Sequence, residues 1–188
     1  MGWGAIRARF RDLHHFTKKK MRVSIFVDGA NFFYMQKDGL KWFADPKRIR
    51  EYIEKTRGEV VDAIYYIGVQ SPPEAKDEKY LKSLPYMGYS VIKKDIKTIY
   101  TLDGNTKQKA NLDIEIVLDM FNTIDNYDMA VLISGDGDFH RALDLLKARG
   151  KRYLILSTKQ FIARELIEFA GMHYIDFQDI KSEVEKIQ

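Results

Sequence analysis

From residue 23 onward the chain alternates short apolar runs with amphipathic stretches. Residues 23–27 (Val-Ser-Ile-Phe-Val) form a run of the buried-strand kind, and the spacing after it predicts a helix over 31–37. Asp45-Pro46 reads as an N-cap followed by proline at the first helical position, opening a helix that Gly58 closes. Residues 60–69 make a second strand, the segment after Pro72-Pro73 a helix to about Leu84, and 89–92 a third strand. Polar and apolar positions alternate over 93–109 around Asp103-Gly104, which predicts a hairpin or an ordered loop. Then come a strongly amphipathic helix over 111–124, an apolar strand over 129–134 and a helix over 139–149 stopped by Gly150. A strand over 153–156, a helix over 160–170, a short strand over 174–177 and a terminal helix over 178–187 complete the series. Strand after strand joined by helices predicts an α/β fold with a mainly parallel sheet covered on both faces.

Residues before 22 follow another pattern. Trp3, Ile6, Phe10 and Leu13 recur at helical spacing with arginines between them, which predicts an amphipathic helix over 3–16. Lys18, Lys19 and Lys20 then read as a solvated hinge. The chain thus divides into a basic arm, residues 1–21, and a domain, residues 22–188. The apolar stripe of the arm suits packing on the domain, on a second copy or on a protein partner. Membrane-surface docking and a basic arm on nucleic acid are further readings of the same helix.

Charge refines this division. The net charge is +4, but residues 1–22 carry +6 and the remaining 166 carry −2. The sequence pI of about 9.0 therefore reflects the arm, and the body is close to neutral. No apolar run reaches the roughly 18 residues of a membrane span, and no secretory leader is evident, so stable insertion is not expected and a cytoplasmic location is. The absence of cysteine excludes disulfides, zinc–thiolate sites and thiol catalysis. With four histidines, any metal falls mainly to carboxylates, which suits a hard cation such as Mg²⁺ or Mn²⁺.

Two of the most apolar strands run into acids. The first ends in Asp28-Gly29-Ala30-Asn31 and the fourth in Ser134-Gly135-Asp136-Gly137-Asp138. Ligands of doubly wound sheets bind beyond the carboxyl ends of the strands, where the strand order reverses. If these two strands are neighbours, three carboxylates meet at one edge, an arrangement a cation would neutralise. One helix cap needs one Asp, not the pair Asp136 and Asp138. Gly29, Gly135 and Gly137 read as residues that let the backbone turn sharply and keep the site open. Asp113 sits in the first turn of its helix, where the dipole favours an acid. Asp119, six residues on, points well away from Asp113 and either bonds within the fold or supports the pocket from behind. Lys109 could meet a pocket acid or a substrate phosphate. Ser157 and Thr158 follow the fifth strand and suit either a phosphate or the cap of the next helix.

Taken together, Val27-Asp28-Gly29-Ala30-Asn31, the segment from Lys109 to Asp119, and Ser134-Gly135-Asp136-Gly137-Asp138-Phe139 resemble the NYN domain. That family is related to PIN-domain nucleases and includes the bacterial LabA-like proteins. The resemblance spans about residues 22–178. It implies a PIN-like three-layer α/β/α sandwich and cleavage of RNA dependent on Mg²⁺ or Mn²⁺. It places Asp28, Asp113, Asp136 and Asp138 on the family's acidic positions and Asn31 on its polar position; with Asn31, the residues Lys109, Ser134, Ser157 and Thr158 are candidates for substrate contact. Similar sequences often carry Lys-Gly-Val-Asp before the long helix, whereas Lys109-Ala110-Asn111-Leu112-Asp113 is one residue longer.

Three functions compete at this stage. A ribonuclease would use the four carboxylates to hold one or two ions. Lys93, Lys94, Lys97, Lys107 and Lys109 could form its basic wall and Phe32, Tyr34 and Tyr100 its stacking surfaces. A non-catalytic module of the same fold, binding RNA or a protein, fits the near-neutral body. A phosphatase with an aspartyl nucleophile fits Asp136-Gly-Asp138 literally but leaves Asp28 and Asp113 without a shared role.

Overall fold

The computed structural model describes residues 20–72, 74–100 and 106–187. The expected arm over 3–16 therefore lies outside the described residues, as does the turn at Asp103-Gly104.

Six strands build one parallel sheet: β1 (Arg22–Asp28), β2 (Glu59–Val69), β3 (Ser90–Asp95), β6 (Met129–Ile133), β7 (Arg152–Ser157) and β8 (Tyr174–Asp176), in the order β3-β2-β1-β6-β7-β8. Two more strands, β4 (Lys97–Tyr100) and β5 (Thr106–Lys109), pair antiparallel as a separate hairpin. The strand order reverses between β1 and β6, which pair directly from Val23↔Met129 to Val27↔Ile133. This is the switch point at which such sheets bind ligands.

Side-chain alternation explains the three layers. Val23, Ile25 and Val27 of β1 join Met129, Val131 and Ile133 of β6 in one core, while Phe26, Ala130 and Leu132 join the other. The first core is covered by α1 (Gly29–Tyr34), α2 (Pro46–Thr56), α3 (Ala75–Ser83) and α7 (Lys181–Val184). The second is covered by α4 (Asp113–Asn122), α5 (His140–Ala148) and α6 (Arg164–Ala170). With both faces buried, a one-residue slip of β1 or β6 would exchange the side chains of the two cores, so the register is firmly set.

Local chemistry sets several boundaries. Asp45 caps α2, its Oδ1 accepting from the Lys47 N–H at 2.8 Å, with Pro46 at the first helical position as expected. The helix predicted over 31–37 begins earlier, because Asp28 caps it, and passes into a π-helical segment over Met35–Leu40. The Gln36 side chain holds that segment: its amide donates to the Phe32 carbonyl and its Oε1 accepts from Ala44 N. The helix predicted over 160–170 is shorter. The Thr158 carbonyl accepts from the N–H groups of Phe161 and Ile162 in a tight turn, and regular helix starts only at Arg164. The terminal helix predicted over 178–187 is also broken, into a 3₁₀ turn over Phe177–Ile180 and a single α turn.

Candidate metal centre

Asp28 is the last residue of β1, and Ser134 directly follows β6, its paired neighbour. The buried Ser134 hydroxyl donates to Asp28 Oδ2 at 3.0 Å and accepts from the Asp136 N–H at 3.2 Å. Asp28 Oδ1 accepts from the Asn31 N–H at 3.1 Å, and Asn31 Oδ1 accepts from the Gly135 N–H at 3.0 Å. These bonds join the ends of the two strands into one rigid edge.

Past that edge, Asp136 caps a 3₁₀ turn over Gly137–Phe139, its Oδ1 accepting from the Asp138 N–H at 3.0 Å. Asp113 arrives from a different layer. Packing of Leu112, Ile116 and Met120 on the second core brings the start of α4 to the switch point. There Asp113, Asp136 and Asp138 each offer a carboxylate oxygen, and these oxygens lie within 4.8 Å of one another.

Asp28 stands behind this trio. Burial pushes its pKa up; the bonds from Asn31 and Ser134 pull the other way, and Asp113 and Asp136 add to the rise. Three close carboxylates backed by a half-buried fourth are mutually unfavourable without a counter-ion. Their donor set is all oxygen, and it fits a hard divalent cation.

The glycines act by close approach. Gly29, Gly135 and Gly137 stand where strands turn into helical segments, and none of them adopts positive φ. A Cβ on Gly29 would meet the Tyr66 carbonyl oxygen, and one on Gly135 the Phe161 carbonyl. At Gly137 it would meet Glu165 Oε1, so the exposed Glu165 carboxylate lies against the Asp136–Asp138 turn. Glu165 gave no signal in the sequence, because it belongs to a helix three elements away from that turn.

The other candidate residues divide. Asn31 and Ser134 belong to the edge just described. Asp119 accepts from the Tyr66 hydroxyl at 2.9 Å, a bond within the fold. Ser157 and Thr158 are buried beneath the edge, and the Ser157 hydroxyl donates to Met35 Sδ at 3.9 Å. The helix after them is capped at Ala163, not at Thr158. The side chains of Lys107, Lys109 and Tyr100 lie outside the described residues. Lys93 and Lys94 fall on the edge strand β3, and Lys94 Nζ bonds the Asn111 carbonyl at 2.8 Å and Glu115 Oε1 at 2.6 Å. Asn111, within the longer segment before α4, accepts the Asp113 N–H on its Oδ1 at 2.8 Å. Phe32 is core, whereas Tyr34 is half exposed beside Phe33. His140 packs edge-on against Phe169.

The NYN domain family model matches residues 22–180. The chain belongs to the NYN family. It is also 43% identical over 171 residues to the low amplitude and bright protein LabA of Synechococcus elongatus, an alignment covering 89% of each chain. Among solved structures, a protein of unknown function from Vibrio parahaemolyticus superimposes with a TM-score of 0.73 over 90% of this chain and 99% of that one. At 23% identity, that likeness speaks for the fold alone. The NYN assignment agrees with the parallel sheet between two helical layers and with the aspartate trio at its switch point. No described helix is long and apolar enough to cross a membrane.

Proposed function

We propose that this NYN protein is a ribonuclease dependent on Mg²⁺ or Mn²⁺, with Asp113, Asp136 and Asp138 as metal ligands and Asp28 completing the acidic set. The observation that carries this reading is the convergence of three carboxylates, from two separate layers, within 4.8 Å of one another. A bound divalent cation would lower the pKa of water and offset the charge building on a phosphodiester. The chain's own residues supply the rest. Ser134 and the Gly135 N–H fix Asp28 and Asn31, leaving Asn31 Nδ2 as a donor for a phosphate oxygen. Asp28, held at the strand end by Asn31 and Ser134, would take a proton from the attacking water. That water oxygen bonds to phosphorus while the bond from phosphorus to one ribose oxygen breaks, and the departing oxygen takes a proton.

A groove of about 340 Å³ runs from Asp113 and Asp138 along α4, where Ile114 and Leu118 are exposed. It offers an apolar wall to a base or sugar next to the acids, which supports an unpaired RNA strand as substrate.

The deciding experiment is a Mn²⁺-dependent assay on single-stranded RNA with the wild type and Asp136→Asn. Cleavage by the wild type and loss of at least 100-fold in the variant is the expected result. Equal activity in both would remove the acids from the mechanism. Failure to bind any divalent cation by calorimetry would turn the reading to a non-catalytic NYN module.

A further inference from the structure

The opposite end of the sheet is as basic as the switch point is acidic. A groove of about 1070 Å³ lies beneath the amino ends of β1, β2 and β7. Six basic side chains from three separate segments line it: Lys20; Lys55 and Arg57; and Arg149, Lys151 and Arg152. Among the described residues, only two carboxylates join them, Glu54 and Asp128. Asp128 is already neutralised by the Arg22 guanidinium at 2.8 Å. The groove therefore carries strong positive charge within a body whose net charge is slightly negative.

Arg57 belongs to this lining through its charge: its guanidinium faces a groove with few carboxylates, while its Nε is buried and meets no hydrogen-bond partner among the described residues. The neighbouring bases are held in place: Lys151 Nζ bonds the Tyr127 carbonyl at 2.7 Å, and Arg149 lies over the Phe121 ring at 5.1 Å.

From this we propose that the groove binds the phosphodiester backbone of RNA, at the end of the sheet away from the acids. The shape and lining favour a chain of phosphates over other polyanions. The surface is concave, and among the described residues Met21 is its single apolar lining residue, which disfavours both insertion into a bilayer and reading of the side chains of an acidic peptide. The segment before Lys20 carries a net charge of +4, so self-repulsion disfavours it as an occupant. The choice of RNA over DNA rests on the proposed ribonuclease reading; affinity for the backbone does not.

Binding is tested without turnover. Full-length protein in EDTA would be titrated into a fluorescently labelled single-stranded RNA of about 20 nucleotides, read by anisotropy across a range of salt concentrations. Lys20, Lys55 and Arg149 are exposed, so Lys20→Gln/Lys55→Gln/Arg149→Gln should keep the fold. This variant is expected to bind at least tenfold more weakly, with a salt slope smaller by about 2, the release expected for three lost phosphate contacts on a single strand. Arg57→Gln should weaken binding, and Arg57→Lys should restore only part of it. A charge-matched control on α3, Lys76→Gln/Lys79→Gln/Lys82→Gln, should stay within about twofold of the wild type. The proposal fails if the groove variant binds like the wild type, or if the control loses as much. It also fails if anionic phosphatidylserine vesicles bind through these residues while RNA does not. Asp136→Asn should lose cleavage while binding RNA in EDTA no more weakly than the wild type, since it removes a negative charge, so loss of cleavage and loss of the groove remain separate outcomes. An equal affinity for single-stranded DNA would keep the groove and overturn the choice of RNA.

Discussion

The Ser134 hydroxyl reaches across the β1–β6 pair to Asp28 Oδ2 at 3.0 Å and, through the same oxygen, accepts the N–H of Asp136. One buried oxygen thus holds an acid from each of the two central strands. Ser134→Ala removes both bonds. It should weaken Mn²⁺ binding about fivefold to tenfold, in line with roughly 1 kcal/mol for a buried hydrogen bond. Calorimetry would measure this. An unchanged affinity would show that the strand ends are placed by the sheet alone.

The aspartate trio should destabilise the protein when no cation is present. Asp138 is the exposed member, so Asp138→Asn relieves repulsion at little packing cost. In EDTA this variant is expected to melt roughly 1–4 °C above the wild type, the range for a gain of about 0.5–1 kcal/mol in a domain of this size. Added Mn²⁺ should raise the wild-type Tm and leave the variant nearly unmoved. A variant that melts lower in EDTA would mean that the carboxylates do not repel one another.

Two glycines of the same loop should respond differently. A Cβ at Gly135 meets the Phe161 carbonyl, which is backbone and cannot swing away. Gly135→Ala should cost about 1–3 kcal/mol. At Gly137 the nearest atom is the free end of Glu165, which can swing away, and Ala163 Cβ lies at 3.1 Å, so Gly137→Ala should cost less than Gly135→Ala, about 0.5–1 kcal/mol. Denaturant unfolding of both variants would separate them. It would also show whether displacing the Glu165 carboxylate alters Mn²⁺ affinity.

Legibility of the site followed the distance over which each residue's placement is decided. Asp28 and Asp136 could be read because a buried apolar run announces a strand, and the acids stand at its last residue or within a few residues beyond it. Asp113 could not be placed that way. Its approach depends on how Leu112, Ile116 and Met120 seat α4 on a core built from strands far away in the chain, so its first-turn position marked it as an acid at a helix start and the family resemblance carried most of its place in the site. The same limit hid Glu165 and the basic groove, whose charges come from three segments that mean little one by one. Local signals failed in another way at residues 160–163, where the helical pattern is broken by a turn closed on the Thr158 carbonyl. The parallel sheet itself was legible throughout, because its strands are buried on both faces and alternate with helices.

At the other end of the central pair, Asp128 accepts from the Arg22 N–H at 2.9 Å and from its guanidinium at 2.8 Å, and the Arg22 guanidinium holds the Asp128 carboxyl down to about 2. A depressed carboxylate pKa stabilises the fold above the unfolded value and loses that contribution as pH falls through the folded one. Asp128→Asn should therefore lower the Tm at neutral pH, modestly because the pair is partly exposed. The gap should narrow below about pH 4, the ordinary Asp range, and close near pH 2. Thermal melts of the two proteins from pH 7 to pH 2 would show it. A gap that persists at pH 2 would assign the effect to packing.

The seven residues of β1 separate the acidic end of the domain from its basic end by roughly 20 Å, at about 3.3 Å per residue. Charge of opposite sign held that far apart is an electric dipole laid along the strands. Such a body turns in the field of a polyanion before it makes contact, basic end first. The acids then face away from the strand at the moment of encounter, and the proposed cleavage would have to wait until the chain bends around the domain or a cation reverses the sign of that pole. Ionic strength would thus act on how fast and in which orientation the two meet, and only afterwards on how tightly they hold.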